Sequence, residues 1–460
     1  MKGIENWKHY PIKNASHGLW CSLLLPFCLF PFMIKYHAGV YIFLFNACLS
    51  SCLSPAIQDH HSRTSYRKTI FQTVLSLPSS LFMWHFFSYN FILSYTLCLF
   101  GVWYYSYLVQ KLLSKCPGSF TYGEAQIVSQ GVMIFLIYCV ITLLSKMHIL
   151  NNFPLIKVVP QSVVCLQILL FGCLLLMHTL CMIPVLRQGL YFFFCCLTFS
   201  CIMMFAWHTT LRKDIFSWMW LYCMHSKKRV ILIIYWLLCT FISIMFVIWV
   251  NWKPSYKAST LVRKYFHLII NIVYIPGIMY DLDLLRLASG IALTAFIILE
   301  MFRILKILII GAVIEDAFQV FLDEKDSGVL ILTNIYLLIG CSSPIWLAGY
   351  ISGVKGYHIC LLSGIISVGF GDTAASIGGT FFGKHHWEGS KKTYEGSICA
   401  IIIQLATSLY FLSIGHECSI YNTIVIITAV LFTSLLEAKT TQVDNLILPL
   451  FMFSFLCWVQ

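Results

Sequence analysis

Apolar runs long enough to cross a bilayer recur from one end of this chain to the other, with little polar sequence between them. They fall near 19–34, 38–57, 69–85, 88–108, 127–144, 158–184, 189–209, 230–252, 284–312, 329–351, 398–414 and 420–436, with a shorter one near 445–459. A helix of about 20 apolar residues crosses the hydrocarbon core, and inside it every backbone N–H and C=O must find a partner within the protein. The expectation is an all-α polytopic membrane protein with roughly 12 to 14 transmembrane helices and a catalytic loop region in the C-terminal half. With 59% apolar residues, 10% charged residues and a mean hydropathy of +0.83, the chain lacks the polar surface of a soluble globule. Lys2, Lys8 and Lys13 precede the first run as in a signal peptide, but no small-residue cleavage site follows, so the first helix is expected to be retained.

The net charge of +12 raises the question of nucleic acid. The basic residues, however, sit in short connectors between spans, as in Arg212-Lys213, Lys227-Lys228-Arg229 and Arg263-Lys264. Helix-end anchoring accounts for that placement, and no nucleic-acid partner is expected. The 20 Cys are scattered through apolar segments with no C-x-x-C pair, so they read as small buried hydrophobes rather than a zinc or redox site.

Acidic residues are distributed unevenly. Glu5, Asp59, Glu124 and Asp214 are the only four before position 280, while fourteen lie between Asp281 and Asp444. This divides the chain near residue 250 into an N-terminal transmembrane helical scaffold, 1–250, and a C-terminal catalytic membrane domain, 251–460. Polar islands interrupt the second half at Arg263 to His267, Glu315 to Gly328, Gly369 to Gly396, Glu437 to Thr441 and Asp444-Asn445. Ionisable groups at or near membrane depth are usually functional or paired.

The Gly369–Gly396 island combines seven Gly, one Asp, two Glu and the cations Lys384, Lys391 and Lys392. Glycines admit backbone N–H groups to an anion, lysines neutralise phosphate, and carboxylates hold a divalent cation or accept a proton. Two partial motifs inside it fail. Gly378 to Lys384 begins like a Walker A loop, but His385 stands where Ser or Thr is required, and Gly369 to Ala374 imitates a dinucleotide fingerprint without a surrounding βαβ unit. Close helix packing is the competing account of the glycines. Asp372 borders an apolar run, where pairing with a nearby Lys or Arg competes with Mg²⁺ coordination or deprotonation of an attacking hydroxyl. His267 and the acidic turn Asp323-Glu324-Lys325-Asp326 also fit either a site or a solvated helix end.

Taken together, Arg263-Lys264-x-Phe266-His267 with Pro276-Gly277, the segment Phe321 to Gly328 with Asp323 and Asp326, and Gly371-Asp372-Thr373-x-Ala375 with Gly379 and Gly383 resemble the dolichol kinases of the polyprenol kinase family. So do Lys391-Lys392-Thr393-x-Glu395-Gly396 and Leu435-Leu436-Glu437-Ala438 leading to Asp444-Asn445. The resemblance covers about 260–450; before it, only Ser119 to Gly131 is similar, and Trp387-Glu388-Gly389 departs from the expected Trp-Pro-Gly.

The resemblance implies transfer of the γ-phosphoryl group of CTP to the terminal hydroxyl of dolichol or a related polyprenol, giving dolichyl phosphate for protein glycosylation. It also implies a multi-pass protein of the endoplasmic reticulum membrane with its active site facing the cytoplasm. It assigns nucleotide binding to Gly371, Asp372, Thr373, Ala375, Gly379, Gly383, Gly389, Ser390, Lys391, Lys392, Thr393, Tyr394, Glu395 and Gly396. Catalysis falls to Asp372, Lys391 and Lys392, with Asp372 and Glu395 as ligands of Mg²⁺ or another divalent cation, and Arg263, Lys264, His267, Glu437 and Asp444 as further candidates. Glu395 is equally suited to orienting a lysine. Two other readings stand beside this one: a CTP-dependent cytidylyltransferase acting on a lipid phosphate, and a transporter with Asp372, Glu300 and Glu437 as coupling residues.

Overall fold

The computed structural model describes residues 16–36, 45, 47–49, 73–74, 76–77, 80–81, 84–85, 91–146, 159–252, 260–307, 311, 314–315, 328–348, 359–415 and 418–459, except the side chains at 34–36, 93, 144–146, 251 and 260–263. Among them the chain forms α1 (Leu24–Tyr36), α2 (Phe91–Lys115), α3 (Tyr122–Lys146), α4 (Gln161–Met182), α5 (Gly189–Leu211), α6 (Ile215–Met224) and α7 (Lys227–Trp252). Then follow α8 (Thr260–Tyr280), α9 (Leu282–Ile304), α10 (Thr333–Leu347), a π-helical turn (Ile365–Asp372), α11 (Thr373–Phe382), α12 (Tyr394–Ile414), α13 (Ile420–Lys439) and α14 (Asp444–Leu456). No strand occurs among the described residues, so neither glycine motif has the strand-and-helix setting of a nucleotide-binding sheet.

Eight helical segments among the described residues are long and apolar enough to cross a membrane. The expected 12 to 14 is not reached among the described residues. The runs at 38–57 and 69–85 lie largely outside the described residues, and three apolar runs fold into short helices: α1 and α14 have 13 residues each and α10 has 15. α14 is short because it is central. Asn445, Leu446, Ile447, Leu448, Pro449, Leu450, Met452, Phe453 and Leu456 are all buried along it. A helix enclosed by protein gains nothing from matching the bilayer thickness. It packs against α1, α10, α13 and the π-helical turn, and Gly340 lets α10 approach so closely that a Cβ there would overlap the Asn445 carbonyl oxygen.

α5 and α7, by contrast, turn large residues outward, including Phe193, Phe194, Phe205, Ile231, Leu237 and Phe241. Lipid solvates these without penalty. Helix starts are capped by side chains: Asp281 accepts from the Leu284 amide at 2.9 Å, Thr393 from Gly396 at 3.2 Å and Ser419 from Asn422 at 3.0 Å.

Ion pairs mark the two ends of the bundle. At the start of α7, Arg229 Nε donates to Asp281 Oδ2 at 2.6 Å, just beyond the end of α8. Near the start of α8, at the opposite end, Lys264 meets Asp372. The 385–394 loop, the C-terminus of α13 and the N-terminus of α14 gather with Lys264 at this second end.

Candidate active site at one end of the bundle

Lys264 and His267 stand three residues apart on α8, so both reach the same neighbour. That neighbour is Asp372. Lys264 Nζ donates to Asp372 Oδ2 at 2.6 Å and to its backbone carbonyl at 3.1 Å, while His267 Nδ1 lies 3.3 Å from Oδ2. Asp372 ends the π-helical turn Ile365–Asp372, a geometry that re-aims a side chain relative to a regular α-helix and recurs at functional sites. Its side chain is 16% exposed, enough to be reached from the end of the bundle.

A second cation approaches from the loop between α11 and α12. Lys392 Nζ donates to the Glu437 carbonyl oxygen at 2.6 Å and to Asp444 Oδ2 at 3.2 Å. Burial works against the Lys392 ammonium, but the carboxylates of Asp444, Glu437 and Asp372 outweigh it and raise its pKa above the ordinary 10.5. The inclusion of Asp372 in that field joins the two ion pairs into one cluster.

The loop that presents Lys392 is a tight hairpin. Trp387 N donates to Lys392 O at 2.9 Å, Tyr394 N to His385 O at 2.9 Å, and Ser390 N to Trp387 O at 3.0 Å across a turn with Gly389 at φ +72°. Only a glycine takes that φ without strain. Trp387 and Tyr394 stack at 4.0 Å between ring centroids, and Trp387 Nε1 donates to Ser397 Oγ at 3.0 Å. Glu395 braces the same loop: its carboxylate accepts from the His385 amide at 3.3 Å and lies 2.7 Å from His385 Nδ1.

The far end of the cluster is anchored by the N-terminal half. Thr121 and Glu124 cap α3 reciprocally, each accepting from the other's amide at 3.1 Å. Glu124 Oε1 also accepts from the Val443 amide at 3.1 Å, and Thr121 Oγ1 donates to Gln442 Oε1 at 2.5 Å. Ser119 Oγ accepts from Leu330 N at 3.0 Å. The Ser119–Gly131 segment therefore holds the chain immediately before Asp444.

These residues lie within or next to a region that matches known proteins. The model of the family described as "Dolichol kinase" matches residues 83–384, well over half the chain. The chain belongs to the dolichol kinase family. It is 36% identical over 366 residues to the human protein named dolichol kinase, covering 75% of this chain and 66% of that protein. It is 34% identical over 241 residues to "Dolichol kinase EVAN" of Arabidopsis thaliana, 50% of this chain and 40% of that one, and 30% identical over 204 residues to dolichol kinase of Saccharomyces cerevisiae, 44% and 37%. Each match spans less than two thirds of the relative's own length. No solved structure matches the chain.

In this dolichol kinase family member the residues singled out from sequence take several distinct places. Lys264, His267, Asp372, Lys392, Glu437 and Asp444 converge as described. Lys391 is exposed, whereas its neighbour Lys392 is partly buried and points into the cluster. Gly371, Gly379, Gly383 and Gly396 are closely faced by protein: a Cβ at Gly371 would overlap the Gln404 amide, one at Gly383 the Gly379 carbonyl oxygen, and one at Gly396 would come within 2.6 Å of the Ala375 oxygen. They let α11 lie tightly along α12. Thr373 and Ala375 are in the first turn of α11, and Thr393 and Tyr394 begin α12. Asp323, Asp326 and the Arg263 side chain lie outside the described residues. Glu300, considered as a coupling residue, is bound by Arg303 Nη2 at 2.7 Å and accepts from Ile331 N at 2.8 Å, which ties α9 to the 328–331 segment.

A divalent cation has oxygen donors here but no ready-made cage. No group of three His, Cys, Asp or Glu among the described residues is arranged to hold a metal. Glu437 Oε2, however, is buried without a hydrogen bond, beside Lys392 and Asp444. Mg²⁺ commonly binds through one or two carboxylates plus substrate phosphates, so these residues fit a cation that arrives with a nucleotide.

Proposed function

We propose that this chain is a CTP-dependent dolichol kinase of the endoplasmic reticulum membrane, transferring the γ-phosphoryl group to the terminal hydroxyl of dolichol or a related polyprenol on the cytoplasmic side. The observation that carries this reading is the convergence of Lys264, His267 and Lys392 on Asp372, Glu437 and Asp444 at one end of a membrane-embedded bundle. A long isoprenoid alcohol stays in lipid while its head meets a water-soluble nucleotide at that end. Residues 1–250 act as scaffold for a catalytic region in 251–460, with Glu124 the clearest point of support.

In the reaction the alcohol oxygen attacks the γ-phosphorus, the bond from that phosphorus to the bridging oxygen breaks, and CDP leaves. The alcohol proton passes to a carboxylate, which we assign to Asp372. The loose transition state of phosphoryl transfer asks little of a base and much of charge neutralisation and alignment. Lys392 and Lys264 supply positive charge by turning from Asp444 and Asp372 toward the phosphates. Asp372, Asp444 and Glu437 are the groups that would hold Mg²⁺, which would supply positive charge against the phosphates. Glu395 orients the loop through His385, and Lys391 meets the outer part of the nucleotide.

The test is product analysis. Purified protein is incubated with γ-labelled CTP or ATP and a panel of polyprenols. Label on the lipid from CTP with release of CDP is expected; release of pyrophosphate would establish a cytidylyltransferase instead, and labelling from ATP alone would overturn the donor assignment.

A further inference from the structure

The neighbouring helices α12 and α13 carry a file of buried polar side chains that begins at Glu437 and, below it, is not used by the ion-pair cluster. Gln404 and Ser408 on α12 and Thr433 on α13 are 0% exposed, Ser434 is 2% and Glu437 is 4%. The two helices are antiparallel neighbours joined by a short connection, which ranks these residues in depth from Glu437 at the end of the bundle through Ser434, Thr433 and Gln404 to Ser408. Gln404 also packs its amide against Gly371, the residue before Asp372.

None of the side-chain polar atoms Gln404 Nε2 and Oε1, Ser408 Oγ, Thr433 Oγ1, Ser434 Oγ and Glu437 Oε2 makes a hydrogen bond within the protein. Several other buried helical hydroxyls here do, although Ser129 Oγ and Ser363 Oγ do not. Thr142 donates to Tyr138 O at 2.8 Å, Thr294 to Gly290 O at 2.9 Å and Ser367 to Ser363 O at 2.6 Å, each one turn back. Buried polar groups left unpaired at bilayer depth are costly, so a partner from outside the chain must satisfy them. The file below Glu437 is uncharged, and amide and hydroxyl both donate and accept. That chemistry suits a neutral alcohol and gives no counter-charge to a phosphate. The outward faces of the same helices carry Ile402, Ile403, Ile424 and Leu431, exposed to lipid, so an isoprenoid tail beside them stays in its own solvent.

We infer that the α12–α13 file is the binding site for the primary alcohol of the lipid acceptor, with Gln404 hydrogen-bonding the hydroxyl beside Asp372 and Thr433 and Ser408 lining its approach from the bilayer. This rests on the polyprenol kinase reading and adds where the acceptor head sits. The experiment compares wild type with Gln404→Met, of similar volume but without donor or acceptor, in lipid phosphorylation. The KM for polyprenol should rise roughly tenfold, the worth of a hydrogen bond at the upper end of the usual range, while the KM for nucleotide holds. Thr433→Val should shift the polyprenol KM the same way by less, and serves if Gln404→Met does not fold. A second readout is thermal stabilisation by geranylgeraniol without nucleotide, present in wild type and lost in the variants. Unchanged lipid KM and retained stabilisation, or an equal shift in nucleotide KM, would overturn the assignment. Failure of wild type itself to phosphorylate any polyprenol would instead sink the kinase reading.

Discussion

Glu124 and Val443 lie 319 positions apart, yet the Glu124 carboxylate accepts a 3.1 Å hydrogen bond from the Val443 amide. Its other oxygen accepts from Thr121 N at 3.1 Å, and the side chain is fully buried. Asp444 follows Val443 at the start of α14 and pairs with Lys392, so a helix start in the N-terminal half sets the position of a carboxylate in the site. Glu124→Ala leaves two buried N–H groups without acceptors, each costing about 1–3 kcal/mol. A lower melting temperature in detergent and reduced lipid phosphorylation are expected; an unchanged melting curve would show that the contact carries no weight.

Glu388→Pro should be tolerated. Trp387 to Ser390 form a turn closed by a 3.0 Å hydrogen bond, with Gly389 at φ +72°, and Glu388 occupies its second position, exposed. Proline favours that position in a type II turn. Activity and expression close to wild type are expected, with a gain of about 0.4–1 kcal/mol at most from the stiffer unfolded chain. Loss of folding would mean that the loop needs the freedom that glutamate allows.

Lys391 and Lys392 should part company. Lys392→Ala removes the charge that lies among Asp444, Glu437 and Asp372, and should lower turnover by roughly thirtyfold to a thousandfold, the cost of about 2–4 kcal/mol in the transition state. Lys391→Ala, at an exposed position, should raise the nucleotide KM and leave kcat near wild type. Steady-state kinetics on both variants decides; equal losses of kcat would mean that the two lysines act together.

Lys392 also gives a signed pH dependence. Its pKa in the folded protein is raised above 10.5, so the stability it contributes is fully present below that ordinary value and is lost as pH rises through the higher folded one. Wild type should therefore lose more melting temperature than Lys392→Met between mildly and strongly alkaline buffer. Parallel curves would contradict the raised pKa.

Much of this was legible in the chain. Continuous apolar runs dictate helices because hydrocarbon offers the backbone no other partners, and the crowding of acids after Asp281 marks the half that carries the cluster. The three-residue spacing of Lys264 and His267 put them on one helix face, but only tertiary structure shows Asp372 between them. Glu124 was hidden because Thr121-x-x-Glu124 caps a helix like any other, and its second partner is distant in sequence. Apolar sequence alone does not separate burial in protein from burial in lipid, as the short, enclosed α14 shows. Glycines 371, 383 and 396 were ambiguous for a related reason, since close approach serves a phosphate and a neighbouring helix alike.

Asp372 is the centre of the proposed chemistry, and the most direct measurement is transfer of γ-label from CTP to dolichol by wild type and Asp372→Asn, purified to the same monodispersity and reconstituted in vesicles. Asparagine keeps the shape and removes the charge that Lys264 and His267 surround. Labelled dolichyl phosphate from wild type and none above background from Asp372→Asn is the predicted result. A folded Asp372→Asn protein that phosphorylates dolichol at the wild-type rate would contradict it.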